Sequence, residues 1–168
     1  MSAAFNGVRQ MAVQIALREM NQGVQEVGAE NRGPRVDVYE RVSNVGVNRD
    51  PAVAGRDWCG MFIYYCYREA ARAFNMRLPF LADQDLWSGE KVERWTRHHP
   101  DCLVTSGSVE PGDIYVAPSY HIGMAVESSS LGGTFRSIDG NQSTGNSGQS
   151  AITLNTRMIV PCRVIVRI

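Results

Sequence analysis

The sequence predicts an α+β protein, with N-terminal helices packed on a C-terminal antiparallel β-sheet. Apolar residues recur at steps of three and four through the first part of the chain, as they do on one face of a helix. After residue 110, short apolar or alternating runs are separated by turn residues, which is typical of strands. Helices that precede strands, without alternating with them, indicate the α+β class. The length of 168 residues suits one domain, so we expect 1–168 to be a single unit.

Four segments have the helical spacing. The predicted helices span 4–22, 36–42, 58 or 59 to 74, and 88 or 89 to about 98. Polar, Gly- and Pro-containing stretches between them predict connectors over 27–35, 44–55 and 75–88.

The strands begin after a turn predicted at 110–113, where Pro, Gly and Asp follow one another. The predicted strands span 114–116, 121–127, 134–138, 151–159 and 163–168. Gly132-Gly133 is a hairpin signal between the second and the third of them, so we expect these two to pair antiparallel.

Composition and charge exclude several classes of function. The formal net charge is zero and the isoelectric point is about 6.8, so no overall field favours nucleic acid or an anionic membrane. No run of about 18 apolar residues predicts a membrane span, and the first residues do not resemble a secretory signal. The four cysteines form no Cys-x-x-Cys pair, which argues against a zinc knuckle. A disulfide between Cys102 and Cys162 stays open.

Cys59 is the first candidate for chemistry. Gly55 and Asp57 favour a cap just before it, which puts its thiol at the start of a helix whose buried face carries Phe62, Cys66, Ala70 and Ala73. Unpaired N–H groups and the helix dipole at that position favour thiolate over thiol. The alternative is an inert cysteine buried in a packed helix.

A nucleophilic cysteine needs a base, and His121 is the histidine that fits. It heads an otherwise apolar strand, whereas His98 and His99 are adjacent at a predicted helix end and are interpreted as surface residues. The alternative for His121 is a strand-edge histidine bonded to a backbone carbonyl. The base in turn needs an orienting partner on its second ring nitrogen.

Asp139 and Asn141 are the candidate partners. The hairpin would return the end of their strand close to His121. Because they are two residues apart, both should lie on the same side of an extended strand, and either could accept from the imidazole. Asp139-Gly140-Asn141 is also strong turn chemistry, so an Asx turn at the strand end stays an alternative.

These residues carry a resemblance to a known family. Asp57-Trp58-Cys59-Gly60-Met61-Phe62, Pro111-Gly112-Asp113-Ile114, His121-Ile122-Gly123-Met124-Ala125 and Ile138-Asp139-Gly140-Asn141 resemble the motifs of the CHAP family, the cysteine, histidine-dependent amidohydrolases/peptidases. These are papain-like enzymes related to the NlpC-type peptidases. The segment 30–36 also resembles one found in phage- and secretion-associated members. The likeness covers about residues 8–145.

The resemblance implies a papain-like fold and a peptidoglycan amidase or endopeptidase. Cys59 would be the nucleophile, His121 the base, Asp139 the orienting acid in a position where the family more often has Glu, and Asn141 a nearby amide. The backbone N–H of Cys59 would stabilise the oxyanion. Candidate substrate-groove residues are Trp58, Trp87, Tyr120 and Arg35. The sequence has no aspartate-rich calcium loop, so we expect no metal and no cofactor.

The biological setting has more than one reading. We expect a monomer, made in the cytoplasm without a signal peptide and delivered to the periplasm or cell wall of a target bacterium. That is the situation of an antibacterial effector of a secretion system such as type VI, which would be paired with a cognate immunity protein. A phage endolysin domain is the alternative setting. A papain-like protease or acyl-transfer enzyme acting on protein, and an inactive binding module on this scaffold, are the alternative functions.

Overall fold

The computed structural model of the chain describes residues 3–43, 56–78, 88–105, 108–129, 133–145 and 148–168. Within those ranges it contains four α-helices and one five-stranded antiparallel sheet, so the α+β prediction is confirmed. The helices are α1 (Ala3–Asn21), α2 (Val36–Val42), α3 (Cys59–Ala73) and α4 (Gly89–Thr96). A 3₁₀ turn, Pro100–Cys102, follows α4. None of the described helices is long and apolar enough to cross a membrane.

Four strands lie close to their predicted positions, whereas the third, predicted over 134–138, continues to Ser143. The strands are β1 (Ile114–Val116), β2 (Ile122–Ala125), β3 (Thr134–Ser143), β4 (Ser150–Met158) and β5 (Val164–Val166), in the order β4-β3-β2-β1-β5. Strands β2 and β3 pair antiparallel, with Met124 opposite Ile138, as the hairpin signal predicted. Gly133 precedes β3 with φ 69°, whereas Gly132 and the connector predicted over 44–55 lie outside the described residues.

Helix α3 is the central element, because it packs against α1 and α2 on one side and against β2 and β3 on the other. Its first three turns are therefore buried almost all round, beyond the single stripe that the sequence predicted. Phe62, Cys66 and Ala70 are fully buried as expected, but Ala73 is exposed because the helix runs past its neighbours at its C-terminus. All four cysteines are free, so Cys102 and Cys162 form no disulfide.

The sheet buries a different layer on each face. The helices cover one face, where Met124, Ile138 and Val166 belong to the main core. The other face carries a smaller cluster that includes Tyr115 and Phe135. Side chains alternate along β3, so Ile138 points to the helices whereas its neighbour Asp139 contacts Tyr115 on the opposite face. The helices and the buried carboxylate thus lie on opposite sides of the sheet.

A buried ion cluster ties α1 to the turn before β1. Asp113, which has no exposed surface, accepts from Arg9 Nη2 (2.8 Å) and from Arg167 Nε and Nη2 (2.9 and 2.7 Å). Gly112 approaches Arg9 so closely that an added Cβ would lie 2.7 Å from the Arg9 Cβ, and its φ of 87° also favours glycine. The predicted 110–113 turn is therefore fixed by charge and by close packing together.

We expect Arg9→Ala to lower the free energy of unfolding by about 3 kcal/mol, because it removes one partner of a buried carboxylate. Arg72→Ala is the control, since Arg72 pairs with Glu69 at an exposed surface (3.3 Å). That variant should lose less than about 0.5 kcal/mol. Urea denaturation measures both, and equal midpoints for the two variants would contradict the importance of the buried pair.

Candidate active site

The thiol of Cys59 lies where the sequence analysis expected it, in the first residue of α3. Its side chain is largely buried and lines a cleft. The residue before the helix is Trp58, whose side chain makes no cap hydrogen bond. The expectation that Asp57 caps the helix is wrong; its Oδ1 accepts a hydrogen bond from Asn141 Nδ2 (3.0 Å) instead. Gly55, the other expected cap residue, lies outside the described residues.

His121 links the thiol to the buried carboxylate of β3. It directly precedes β2, and its carbonyl accepts from the Ala117 N–H (2.8 Å), which closes the turn that holds it. Its Nε2 lies 3.6 Å from Asp139 Oδ1, and its side chain also interacts with that of Cys59. Burial by itself would lower the pKa of His121, but its interactions with Asp139 and Cys59 raise it to about 9.

Asp139 has no exposed surface and is surrounded by hydrogen-bond donors. Its Oδ1 accepts from Tyr115 Oη (2.5 Å), and its Oδ2 accepts from Ser137 Oγ (3.0 Å), Asn155 Nδ2 (2.6 Å) and Arg157 Nη2 (2.9 Å). Burial raises the pKa of this carboxyl, but the bonds from His121 and Tyr115 and the charge of Arg157 outweigh it and lower the pKa. The group therefore stays an anion beside the imidazole.

Gly123 gives the carboxylate its place. It lies on β2 directly opposite Tyr115 of β1, and a Cβ there would overlap Asp139 Oδ1 and approach Tyr115 Cε1 to 2.5 Å. The glycine of the His121-Ile122-Gly123 motif thus leaves the space through which Asp139 reaches the imidazole. Its role is steric, because no positive φ is involved.

Asn141 does not lie beside Asp139, which corrects the prediction that the two share one side of the strand. A register shift interrupts the β3–β4 ladder between Asp139 and Gln142, and Asn141 has a φ of 56°. Its amide therefore bonds to Asp57, and Gln142 takes the position facing the imidazole, with its Nε2 3.4 Å from His121 Nε2. The turn chemistry of Asp139-Gly140-Asn141 signalled this irregularity, since asparagine tolerates the left-handed region.

The cleft has a volume of about 580 Å³. It is lined by Asp57, Cys59, Ser88, Gly89, Glu90, Ala117, Ser119, Tyr120, His121, Asn141, Gln142 and Arg157. Of the four predicted groove residues, Tyr120 lines it, with its ring 4.2 Å from the guanidinium carbon of Arg163. Trp87 lies outside the described residues.

Trp58 and Arg35 do not line this cleft. Trp58 is fully buried, and its Nε1 donates a hydrogen bond to Glu26 Oε1 (3.0 Å). Arg35 forms a two-bond ion pair with the buried Glu19 (2.5 and 2.6 Å) and also donates to Tyr65. Each is held by a buried carboxylate, 32 residues away in sequence for Trp58 and 16 for Arg35.

Three residues around His121 were not predicted from the sequence: Gln142 and Arg157, which line the cleft, and Tyr115, which is buried and contacts Asp139. The sequence predicts Tyr115 only as part of an apolar strand. Its position opposite Gly123 follows from the pairing of β1 with β2. Arg157 lies opposite Phe135 on β4, and its side chain contacts Asp139 four residues along β3. Neither contact has a local sequence signal, because each depends on strand register.

The remaining histidines take no part in this cleft. His98 is exposed, and His99 stacks on Trp95 with ring centroids 4.0 Å apart. Among the described residues, no group of three or more His, Cys, Asp or Glu side chains is placed to hold a metal ion.

No protein-family model matches the chain, and no curated protein or solved structure matches it significantly. What can be concluded about its chemistry therefore comes from its own residues. Those residues lead from a thiol that lines the cleft, through an imidazole, to a buried carboxylate. A thiol next to a base that a third group orients is the arrangement that nucleophilic catalysis requires.

We expect Gly123→Ala to separate Asp139 from His121, because the added methyl group occupies the position of the carboxylate oxygen. The variant should keep its helix content but react more slowly with iodoacetamide at neutral pH, since the imidazole loses its orienting partner. Circular dichroism and thiol alkylation measure the two effects. A folded variant whose Cys59 alkylates at the wild-type rate would show that the glycine is not needed for this contact.

Proposed function

We propose that the chain is a papain-like cysteine amidohydrolase of the CHAP type that cleaves an amide bond of peptidoglycan. The observation that carries the proposal is the bridging position of His121, between the Cys59 thiol at the start of α3 and the buried Asp139 carboxylate. The Asp139 carboxylate favours the imidazolium. An imidazolium next to a thiol is one half of the charged pair that a thiol nucleophile uses.

In the proposed reaction His121 moves the protons and Asp139 orients it. Because Nε2 faces Asp139, Nδ1 is the nitrogen that exchanges a proton with the thiol. The thiolate attacks the carbonyl carbon, and the backbone N–H of Cys59 stabilises the oxyanion. The imidazolium then protonates the leaving amine as the C–N bond breaks, which leaves a thioester on Cys59.

Hydrolysis of the thioester completes the cycle. The neutral imidazole now accepts a proton from a water molecule as the water oxygen attacks the thioester carbonyl. The C–S bond breaks, the carboxylic acid product leaves, and the thiolate–imidazolium pair is restored. His121 must therefore hold a proton in the first half of the reaction and release it before the second.

Peptidoglycan as the substrate rests on the likeness of the four short motifs to CHAP enzymes. Two features of the cleft agree with a peptide substrate. It is lined by both acidic and basic side chains, Asp57 and Glu90 together with Arg157, and peptidoglycan stem peptides carry both carboxylates and amines. Tyr120 supplies an aromatic surface next to His121. We further propose that the protein acts from the periplasm of a target bacterium, as an antibacterial effector does.

The order of damage among site variants tests the chemistry. Cys59→Ala and His121→Ala should each lower muropeptide release from sacculi by at least about 10³-fold, and the double variant should be little worse, because the two residues act as a unit. Asp139→Ala should fall between these and the wild type, since it only orients the base. Asn141→Ala should be mild, because the amide faces Asp57 and not the imidazole.

Cys66→Ala is the matched control for that series. It removes a thiol from the same helix, but one that is fully buried in the core and away from the cleft. Its activity should match the wild type at a temperature where it is folded. Muropeptide mass spectrometry reads all variants, and an Asn141→Ala variant as damaged as Asp139→Ala would restore Asn141 to the site.

The compartment of toxicity tests the substrate. With an added signal peptide the protein should lyse bacteria, whereas the same chain expressed in the cytoplasm should be tolerated, because peptidoglycan lies outside the inner membrane. Cys59→Ala with the same signal peptide is the control for export stress. Equal killing from the cytoplasm would favour the alternative of a cysteine protease acting on protein.

A further inference from the structure

Arg157 of β4 contacts two groups next to His121 with a single nitrogen. Its Nη2 donates to Asp139 Oδ2 (2.9 Å) and to Gln142 Oε1 (3.1 Å). The side chain is 30% exposed, lines the cleft and has its guanidinium carbon 5.8 Å from the Tyr115 ring centroid. Its hydrogen bonds go to the two residues that face the imidazole, so we consider its effect on His121 through Asp139 and Gln142.

The two oxygens of the Asp139 carboxylate have different partners. Oδ2 is occupied by Arg157 and two neutral donors, and only Oδ1 is directed to His121, at 3.6 Å. A buried negative charge beside a histidine stabilises the imidazolium, and a cation on the far side of the same carboxylate weakens that effect. Arg157 therefore limits how strongly Asp139 can hold the imidazole proton.

The contact with Gln142 fixes the direction of its amide. Because Arg157 has only donors, the oxygen of the amide must face it, and this leaves Gln142 Nε2 facing His121 Nε2 at 3.4 Å. An N–H donor in that position gives no support to a protonated Nε2. If the arginine were absent, only the 3.3 Å bond from Gln142 Nε2 to the Asn141 carbonyl would hold the amide, which could then turn and accept a hydrogen bond from the imidazolium.

We propose that Arg157 is a positioning residue for His121, which keeps the imidazolium from being over-stabilised by Asp139 and Gln142. The inference rests on the proposed thiol mechanism, in which His121 must be neutral before it can accept the proton of the attacking water. Both contacts act in the same direction. Loss of Arg157 should therefore favour the protonated form and slow hydrolysis of the thioester more than its formation.

Several groups face His121 and contribute to its titration. Cys59 approaches from α3, Asp139 and Gln142 from β3, and Tyr115 from β1 with ring centroids 6.4 Å apart. Asp57 and Glu90 also line the cleft. Arg157 is a cation in direct contact with the Asp139 carboxylate. Its removal changes the effect of Asp139 on the His121 pKa and leaves the other neighbouring charges in place.

The test is the pKa of His121, measured by NMR on the full chain with isotope-labelled histidine. The chain has three histidines, and His121→Gln assigns the resonance. Arg157→Gln should raise the His121 pKa above the wild-type value by about one unit, a tenfold higher affinity for the proton. Arg157→Lys keeps the charge and should give a smaller shift. Arg157→Met, which keeps the aliphatic stem, serves if the glutamine variant does not fold.

Arg136→Gln is the matched control, because Arg136 lies on the neighbouring strand, opposite Thr156, and does not line the cleft. It should leave the His121 pKa unchanged. A folded Arg157→Gln or Arg157→Met variant with an unchanged or lowered His121 pKa would overturn the proposal. That outcome differs from failure of the proposed function, which would appear in the wild type as a Cys59 that alkylates like an ordinary free thiol.

Discussion

A carboxylate without exposed surface, Asp139, is held on β3, an inner strand of the five-stranded sheet. An unpaired charge at such a position costs several kcal/mol, so the neighbouring strands must supply partners. Tyr115 comes from β1 and Arg157 from β4, and each reaches the carboxylate across strand pairings that bring it within hydrogen-bond distance. Gly123 of β2 leaves the space between them. The requirement to provide partners for one buried anion thus constrains side chains on β1, β2 and β4.

The same requirement explains why the site forms at the end of the sheet. Cys59 belongs to the helix layer on one face, whereas Asp139 points to the other face, so neither can reach the other through the sheet. His121 lies just before β2 begins, where the backbone no longer separates the two layers. An imidazole has two nitrogens on opposite sides of its ring, and it can therefore connect a group in each layer.

Much of this arrangement could be predicted from local patterns. Helical spacing located the four helices, turn residues located the strands, and the motifs around Cys59 and His121 selected the two groups that meet in the cleft. The errors have a common physical cause. Trp58 and Arg35 are held by buried carboxylates far away in sequence, and Asn141 is turned aside by a bulge that breaks the alternation of β3. Residue type and spacing do not encode these long-range partners, because they depend on register and packing.

The packing of Trp58 helps to fix the position of the neighbouring residue, Cys59. Its ring lies over Gly140, where an added Cβ would come within 2.8 Å of Trp58 Cζ3, and its Nε1 donates to Glu26. The second oxygen of Glu26 accepts the backbone N–H of Ser150 at the start of β4 (3.0 Å). The residue before Cys59 is thereby anchored to β3, which carries Asp139 and Gln142, and to β4, which carries Arg157. Gly140 also lies within the bulge between Asp139 and Gln142. The packing of Trp58 against Gly140 therefore affects the position of the Cys59 thiol and also that of Asp139 and Gln142, which face His121.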